Sequence, residues 1–205
     1  MQTAAYQGRG QPGAAAAAAG RAAGVPVWID AAQAVGHVAS RVGATAVYGT
    51  SRKWLRGPRG VGFVVVDESV QQSLRQPIGT YSSREARCGS PVGLARAVED
   101  LWAAGVEETQ VRLADVGTGT RAALSHVPGW KVNLHPEHHP TGAITTLGPR
   151  DGQDVTGVRS RLTSEHGVLV TASLPWRAPL EPISPPVDVA DEDLDRLVNA
   201  LAMGS

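Results

Sequence analysis

The sequence predicts an α/β fold, because short apolar runs alternate with segments of helical character. Three runs, at residues 25–29, 44–48 and 61–66, have the length and the β-branched content of strands. Two helical segments, at residues 92–104 and 106–127, follow them. A chain of 205 residues can bury a sizeable core. We therefore expect one large domain or parts of two.

The first two apolar runs deliver polar side chains to strand ends. The run at 25–29 ends at Asp30, and residues 31–41 are predicted to form a short helix after it. The second run is closed by Gly49-Thr50-Ser51, and Lys53 follows two residues later. Both runs are expected to be buried strands, and ligands bind at the carboxyl ends of strands in open α/β sheets. The three strands should thus converge near Asp30 and Lys53.

The second half of the chain predicts a small α/β domain. Its expected pieces lie at residues 130–134, 141–147, 154–166, 167–172 and 191–202. Acidic residues head the last helix, where they favour a helix start. Residues 76–91 are rich in Gly, Ser and Arg and predict an irregular connection, whereas Ala14 to Ala19 favour a helix in a weakly specified N-terminal segment. We place the domain boundary between residues 85 and 86.

Composition excludes several classes of partner. The chain has 19 basic and 19 acidic side chains and a pI near 7.0, which does not favour nucleic acid, an anionic membrane surface or a polyanionic substrate. A small neutral or zwitterionic ligand is compatible with it. The single cysteine, Cys88, cannot form an internal disulfide, and we identify neither a leader segment nor a long apolar span. A soluble, cytoplasmic protein is therefore expected.

One ordered set of motifs carries the functional prediction. Asp30 and Gln33 form an Asp-x-x-Gln motif after the first strand, and Ser51-Arg52-Lys53 precedes the Gly-Pro-Arg-Gly turn at 57–60. This combination resembles the class V aminotransferase-like enzymes of the fold-type I pyridoxal-phosphate group, well over about residues 21–100 and loosely beyond. Within that group the sequence is most similar to the carbon–sulfur lyases of ergothioneine biosynthesis. The resemblance implies a fold-type I architecture, with a partial large domain at 1–85 and a small C-terminal domain at 86–205.

The resemblance also implies roles for individual residues around pyridoxal 5'-phosphate. This cofactor needs an amine that forms an aldimine with its aldehyde and an acid that keeps its pyridine nitrogen protonated. Lys53 is then the Schiff-base lysine and moves the substrate's α proton. Asp30 keeps the pyridine nitrogen protonated, and Gln33 hydrogen-bonds the phenolic oxygen. The hydroxyl of Ser51 reaches the phosphate. Arg52 stands where many relatives carry His, and its guanidinium suits a phosphate.

A second subunit is implied as well. In the family a Gly-Thr pair from the neighbouring subunit touches the phosphate, and Gly79-Thr80 occupies the matching place. The resemblance therefore implies a homodimer that acts on a small amino-acid-like substrate. The expected reaction is β-elimination on a cysteine conjugate or its sulfoxide, with cleavage of the carbon–sulfur bond.

Alternatives within the family and outside it stay open. A cysteine desulfurase needs a thiol on a mobile loop of the smaller domain, and Cys88 lies elsewhere, which weakens that reading. A class V aminotransferase acting on another amino acid is a further alternative. The His-Pro-Glu-His-His stretch at 135–139 has metal-ligand residue types, but histidines beside proline on a polar connection are more often solvated, and we predict no metal.

Two departures from the family pattern favour a third alternative, an inactive fragment that persists as a dimerisation or regulatory module. Only 29 residues precede Asp30, and they contain neither the family's phosphate-binding loop nor its ring-stacking side chain. We therefore expect an N-terminally truncated member. Near the C-terminus the substrate-carboxylate arginine of the family has no direct counterpart, and Arg177 is a displaced candidate.

Overall fold

The described parts of the chain contain eight strands and six helices. The computed structural model describes residues 3–4, 9–74, 91–133, 142–150, 154–170 and 181–203. The strands are β1 (Thr3–Ala4), β2 (Arg9–Gly10), β3 (Trp28–Asp30), β4 (Ala46–Thr50), β5 (Gly62–Val66), β6 (Trp130–Val132), β7 (Thr145–Pro149) and β8 (Glu181–Ile183). The helices are α1 (Gly13–Ala22), α2 (Glu68–Gln71), α3 (Pro91–Ala103), α4 (Val106–Ser125), α5 (Val155–His166) and α6 (Asp191–Ala202). The predicted α/β class is confirmed.

The chain divides into two compact units. The first comprises residues 1–3 and 11–110, and the second comprises residues 4–10 and 111–205. The predicted domain boundary between residues 85 and 86 lies outside the described residues. Among the described helices, none combines the length and the apolar character needed to cross a bilayer.

The first unit contains a three-stranded sheet in the order β3-β4-β5. Strands β3 and β4 are parallel, with Asp30 opposite Tyr48, and β5 is antiparallel to β4. Parallel pairing places the carboxyl ends of β3 and β4 at one edge of the sheet. Strand β4 begins and ends two residues later than predicted, so it leads directly into Ser51.

Neither face of this sheet is covered completely. Ile29 is buried, but Val65, which the register places on the same face, is 64% exposed. On the opposite face Ala46 is buried, whereas Trp28 is 49% and Tyr48 40% exposed. The prediction that β3 and β4 are buried strands is therefore wrong. Apolar runs in the sequence do not show which residues of a strand are covered by another element.

The prediction of a helix at residues 31–41 is also wrong, because the segment forms a succession of turns. The backbone N–H groups of Val35 and Val38 donate to the carbonyl oxygens of Ala31 and Ala34, at 3.0 and 2.8 Å. These bonds have helical spacing, but Gly36 adopts a left-handed φ of 79° and interrupts the helical path. The segment thus turns back toward the loop that carries Lys53.

The second unit is built on an antiparallel sheet in the order β6-β7-β8. Its core includes Leu124, Trp130, Leu147, Leu162 and Leu201, all 2% exposed or less. Helices α3 to α6 lie close to the predicted segments. No strand is formed at residues 167–170, and the rest of the strand predicted at 167–172 is outside the described residues. Strand β8 was not predicted.

We expect Gly36→Ala to destabilise the chain more than Gly24→Ala. A Cβ at position 36 would lie 2.9 Å from the carbonyl oxygen of Trp54, whereas a Cβ at position 24, which has a similar φ of 66°, would meet nothing within 4 Å. The backbone conformation alone costs roughly 1 kcal/mol, and the backbone clash should raise the total to roughly 2–4 kcal/mol at position 36. Urea unfolding of the two variants measures the difference. Equal losses would show that the close approach of the turn to Trp54 is unimportant.

Candidate active site

Asp30 is the last residue of β3, and its carboxylate has two different oxygen environments. Oδ1 accepts a hydrogen bond of 2.9 Å from the backbone N–H of Ala32, so it caps the turn that follows the strand. Oδ2 accepts no hydrogen bond from the described parts of the chain. The side chain is partly buried. One oxygen thus holds the local backbone, and the other can receive a proton donor.

Lys53 lies in a closed loop between β4 and β5. The N–H of Ser51 donates to the carbonyl of Val61 at 3.1 Å, and the N–H of Gly57 donates to the carbonyl of Ser51 at 2.9 Å. Within the loop the N–H of Arg56 donates to the carbonyl of Lys53 at 2.8 Å, and Arg56 has a left-handed φ of 55°. A non-glycine residue in that conformation is uncommon and often lies near a functional site.

The surroundings of the Lys53 amine favour its neutral form. Partial burial lowers the pKa of Lys53 below its ordinary value, and the positive charge of Arg52 lowers it further, while the Asp30 carboxylate opposes the shift. A lowered pKa increases the fraction of neutral amine, which is the nucleophilic form. Since the charge of Asp30 acts on Lys53, the fold brings together the two residues on which the functional prediction depends.

Ser51 is fully buried and is occupied by the backbone of its own loop. Its hydroxyl lies within hydrogen-bonding distance of the carbonyl oxygens of Pro58 and Val61, the latter at 3.1 Å. The single hydroxyl proton can serve only one of them at a time. In this state Ser51 holds the Gly-Pro-Arg-Gly turn closed. Its contact with a phosphate stays a prediction, and it requires the hydroxyl to leave these acceptors.

Gln33 belongs to a group of three side chains that also contains Trp54 and His37. The indole Nε1–H of Trp54 donates to Gln33 Oε1 at 3.1 Å. The His37 ring stacks on the Trp54 ring, with centroids 3.9 Å apart and planes 16° apart. His37 Nδ1 lies 3.0 Å from the carbonyl oxygen of Gln33, which can only accept, so Nδ1 carries the proton. The His37 side chain is buried, with 1% of its surface exposed.

Trp54 was missed by the sequence analysis. Its only signal was its position directly after Lys53 in an otherwise polar loop. Other predicted residues fall outside the described parts of the chain, namely Gly79, Thr80, Cys88, residues 135–139 and Arg177. Arg52 is exposed, and its contact with a phosphate stays a prediction.

The described side chains fit pyridoxal phosphate at its ring and its aldehyde. Lys53 supplies an amine of lowered pKa for the aldehyde. Asp30 offers Oδ2 to a protonated ring nitrogen. Gln33, with its amide oxygen already engaged, offers N–H groups to a phenolic oxygen. The phosphate is the part of the cofactor for which the described residues provide the fewest ready donors.

Comparison with known proteins identifies one family and one curated relative. A family model for Aminotransferase class-V matches residues 1–171. A protein named "Probable hercynylcysteine sulfoxide lyase" from Mycobacterium tuberculosis (strain CDC 1551 / Oshkosh) is 38% identical over 195 residues, which cover 86% of this chain and 49% of the relative. The chain therefore spans about half the length of this relative.

Solved structures show the same fold. The alanine–glyoxylate aminotransferase from Nostoc sp. matches with a TM-score of 0.80 and 18% identity, over 98% of this chain and 59% of that one. The ureidoglycine–glyoxylate aminotransferase from Bacillus subtilis matches with a TM-score of 0.81 and 18% identity, over 98% of this chain and 58% of that one. A cysteine desulfurase from Thermococcus onnurineus NA1 matches with a TM-score of 0.80 and 15% identity, over 98% of this chain and 58% of that one. The predicted fold-type I architecture is confirmed.

We expect His37 to make stability depend on pH below neutrality. Burial lowers the pKa of His37 from 6.5 to about 4, despite the hydrogen bond to Gln33. Between these values the unfolded chain binds the proton and the folded chain does not, so stability rises as pH increases from 4 to 6.5. At about 1.4 kcal/mol per pKa unit, the gain is roughly 3 kcal/mol.

The measurement is urea unfolding of the wild type and of His37→Phe at several pH values. His37→Phe should lose most of the increase in the free energy of unfolding between pH 4 and 6.5. His126→Gln, which changes an exposed histidine, should keep that increase. A wild-type profile that is flat between pH 4 and 6.5 would mean that His37 is not buried in its neutral form.

Proposed function

Because the chain belongs to the class-V aminotransferase family, we propose that it is the lysine-bearing part of a pyridoxal-phosphate-dependent carbon–sulfur lyase. Its substrate class is a cysteine conjugate or the corresponding sulfoxide, as in ergothioneine biosynthesis. The observation that carries the proposal is that Asp30 ends β3 beside the parallel strand β4, which leads into the loop of Lys53, so that the Asp30 charge acts on Lys53. The choice of a lyase rests on the 38% identity to the curated relative.

Three described residues would hold the cofactor ring. Lys53 Nζ would attach to the aldehyde carbon, and Asp30 Oδ2 would accept a hydrogen bond from the protonated pyridine nitrogen. A carboxylate at that position keeps the ring cationic, which strengthens its capacity to accept electrons. The amide N–H groups of Gln33 would donate to the phenolic oxygen. All three come from segments that β3 and β4 deliver to one edge of the sheet.

The phosphate contacts are proposed from Ser51, Arg52 and Thr80. A guanidinium binds phosphate strongly, and Arg52 is exposed and adjacent to Lys53. Thr80 would come from the second subunit of a homodimer, which completes the site. We propose a cytoplasmic location, since a neutral chain with a single cysteine suits a reducing compartment.

Pyridoxal phosphate, when bound, accepts the electron pair that the substrate releases at its α carbon. The residues of the chain manage the protons. Lys53 Nζ, as a free amine beside the substrate, would remove the α proton. The β carbon–sulfur bond of the substrate would then break, and its electron pair would leave on sulfur. Because this elimination uses no protein thiol, it does not depend on Cys88, which a desulfurase would need in a sulfur-accepting position.

We expect the purified 205-residue chain to capture pyridoxal phosphate covalently at Lys53. The chain has only two lysines, Lys53 and Lys131, which makes the experiment unusually clean. After borohydride treatment, peptide mass should place the pyridoxyl group on Lys53. Lys53→Ala should abolish the modification and the visible absorption, whereas Lys131→Ala, on an exposed strand position, should leave both unchanged.

The same preparation should release pyruvate, ammonia and a sulfur product from a cysteine-conjugate sulfoxide, and Lys53→Ala should not. Transamination would instead give a keto acid and the aminated cofactor without sulfur release, which would identify an aminotransferase. Full lyase turnover by Lys53→Ala would refute the proposed mechanism. A folded chain that captures no cofactor would identify an inactive fragment.

A further inference from the structure

The contact between Trp54 and Gln33 fixes the orientation of a side chain that the proposed function requires. An amide has an oxygen that accepts and an NH₂ group that donates, and the two are hard to distinguish by shape alone. The indole nitrogen of Trp54 can only donate. Since it lies 3.1 Å from the amide of Gln33, the amide must present its oxygen to Trp54. The NH₂ group of Gln33 then points away from the Trp54 indole nitrogen.

The Trp54 ring is itself held in place by His37. The two rings stack at 3.9 Å, and His37 is tied through Nδ1 to the backbone carbonyl of Gln33. The backbone of Trp54 also lies against Gly36, where a Cβ would come within 2.9 Å of the Trp54 carbonyl oxygen. His37 and Gly36 thus belong to the turn that carries Gln33, while Trp54 follows Lys53. The group connects the two segments that supply the proposed cofactor ligands.

We propose that Trp54 is a positioning residue, whose indole N–H orients the Gln33 amide so that its NH₂ group donates to the phenolic oxygen of the cofactor. This inference rests on the proposed function. Without the indole donor, the amide of Gln33 can rotate and turn its oxygen toward the phenolic oxygen of the cofactor. The two oxygens would repel each other, because both carry negative charge and neither can donate a hydrogen bond. The interaction therefore selects the donating orientation before the cofactor binds.

The readout is the pH at which the visible absorption of the bound cofactor changes. That change reports the proton on the nitrogen that links Lys53 to the cofactor. A donor to the phenolic oxygen disperses its negative charge, and removing the donor strengthens the attraction for the neighbouring proton. We expect Trp54→Phe to raise the midpoint by about half a unit to one unit. The phenyl ring retains the stacking partner of His37 and lacks only the N–H group and some ring area.

Two further variants separate orientation from packing. Gln33→Ala should raise the midpoint as well, and adding Trp54→Phe to it should have no additional effect, because Trp54 acts through Gln33. Trp102→Phe makes the same chemical change at a tryptophan that is 70% exposed and should leave the midpoint unchanged. If Trp54→Phe fails to fold, benzothienylalanine at position 54 replaces the N–H group by sulfur and preserves the ring size.

Each outcome decides one question. A wild-type chain that binds no cofactor refutes the proposed function and this inference with it. If the wild type binds and the Trp54 variant keeps the wild-type midpoint, the inference fails and the proposed function stands. Additive shifts in the double variant would also overturn it, because Trp54 would then act by a route other than Gln33.

Discussion

The parallel pairing of β3 with β4 is the constraint on which the candidate site depends. Its register places Asp30 opposite Tyr48, so one strand ends in a carboxylate, and the other continues through Thr50 into the loop of Lys53. A shift of one residue would turn the side chain of Asp30 to the opposite face of the sheet. The register thus determines whether an acid and an amine of lowered pKa share one edge.

Local interactions then fix the loop and the turn against each other. Ser51 closes the lysine loop through its buried hydroxyl, and Gly36 lets the turn approach the backbone of Trp54. Trp54 in turn meets Gln33 and His37. The polar side chains of this region are therefore paired, Ser51 with backbone carbonyl oxygens and Trp54 with Gln33. Such pairing is costly to break, so it keeps the proposed ring-binding residues in one arrangement.

The sequence predicted the α/β class and the three strands that lead to Asp30 and Lys53, because strand-length apolar runs are local signals. It did not predict the exposure of Trp28 and Tyr48, since burial on one face or two depends on what packs against the sheet. It also missed the break at Gly36 and the role of Trp54. Both depend on contacts between residues about twenty positions apart, which local periodicity does not contain.

The central claim is that the charges of Arg52 and Asp30 act on the Lys53 amine in opposite directions, with burial and Arg52 outweighing Asp30. Reductive methylation with ¹³C-formaldehyde labels the two lysines, and NMR titration with Lys131→Arg as the assignment control gives the pKa of Lys53. The account expects a value below the ordinary 10.5, raised by Arg52→Gln and lowered further by Asp30→Asn. A pKa of 10.5 or above that responds to neither substitution would contradict it.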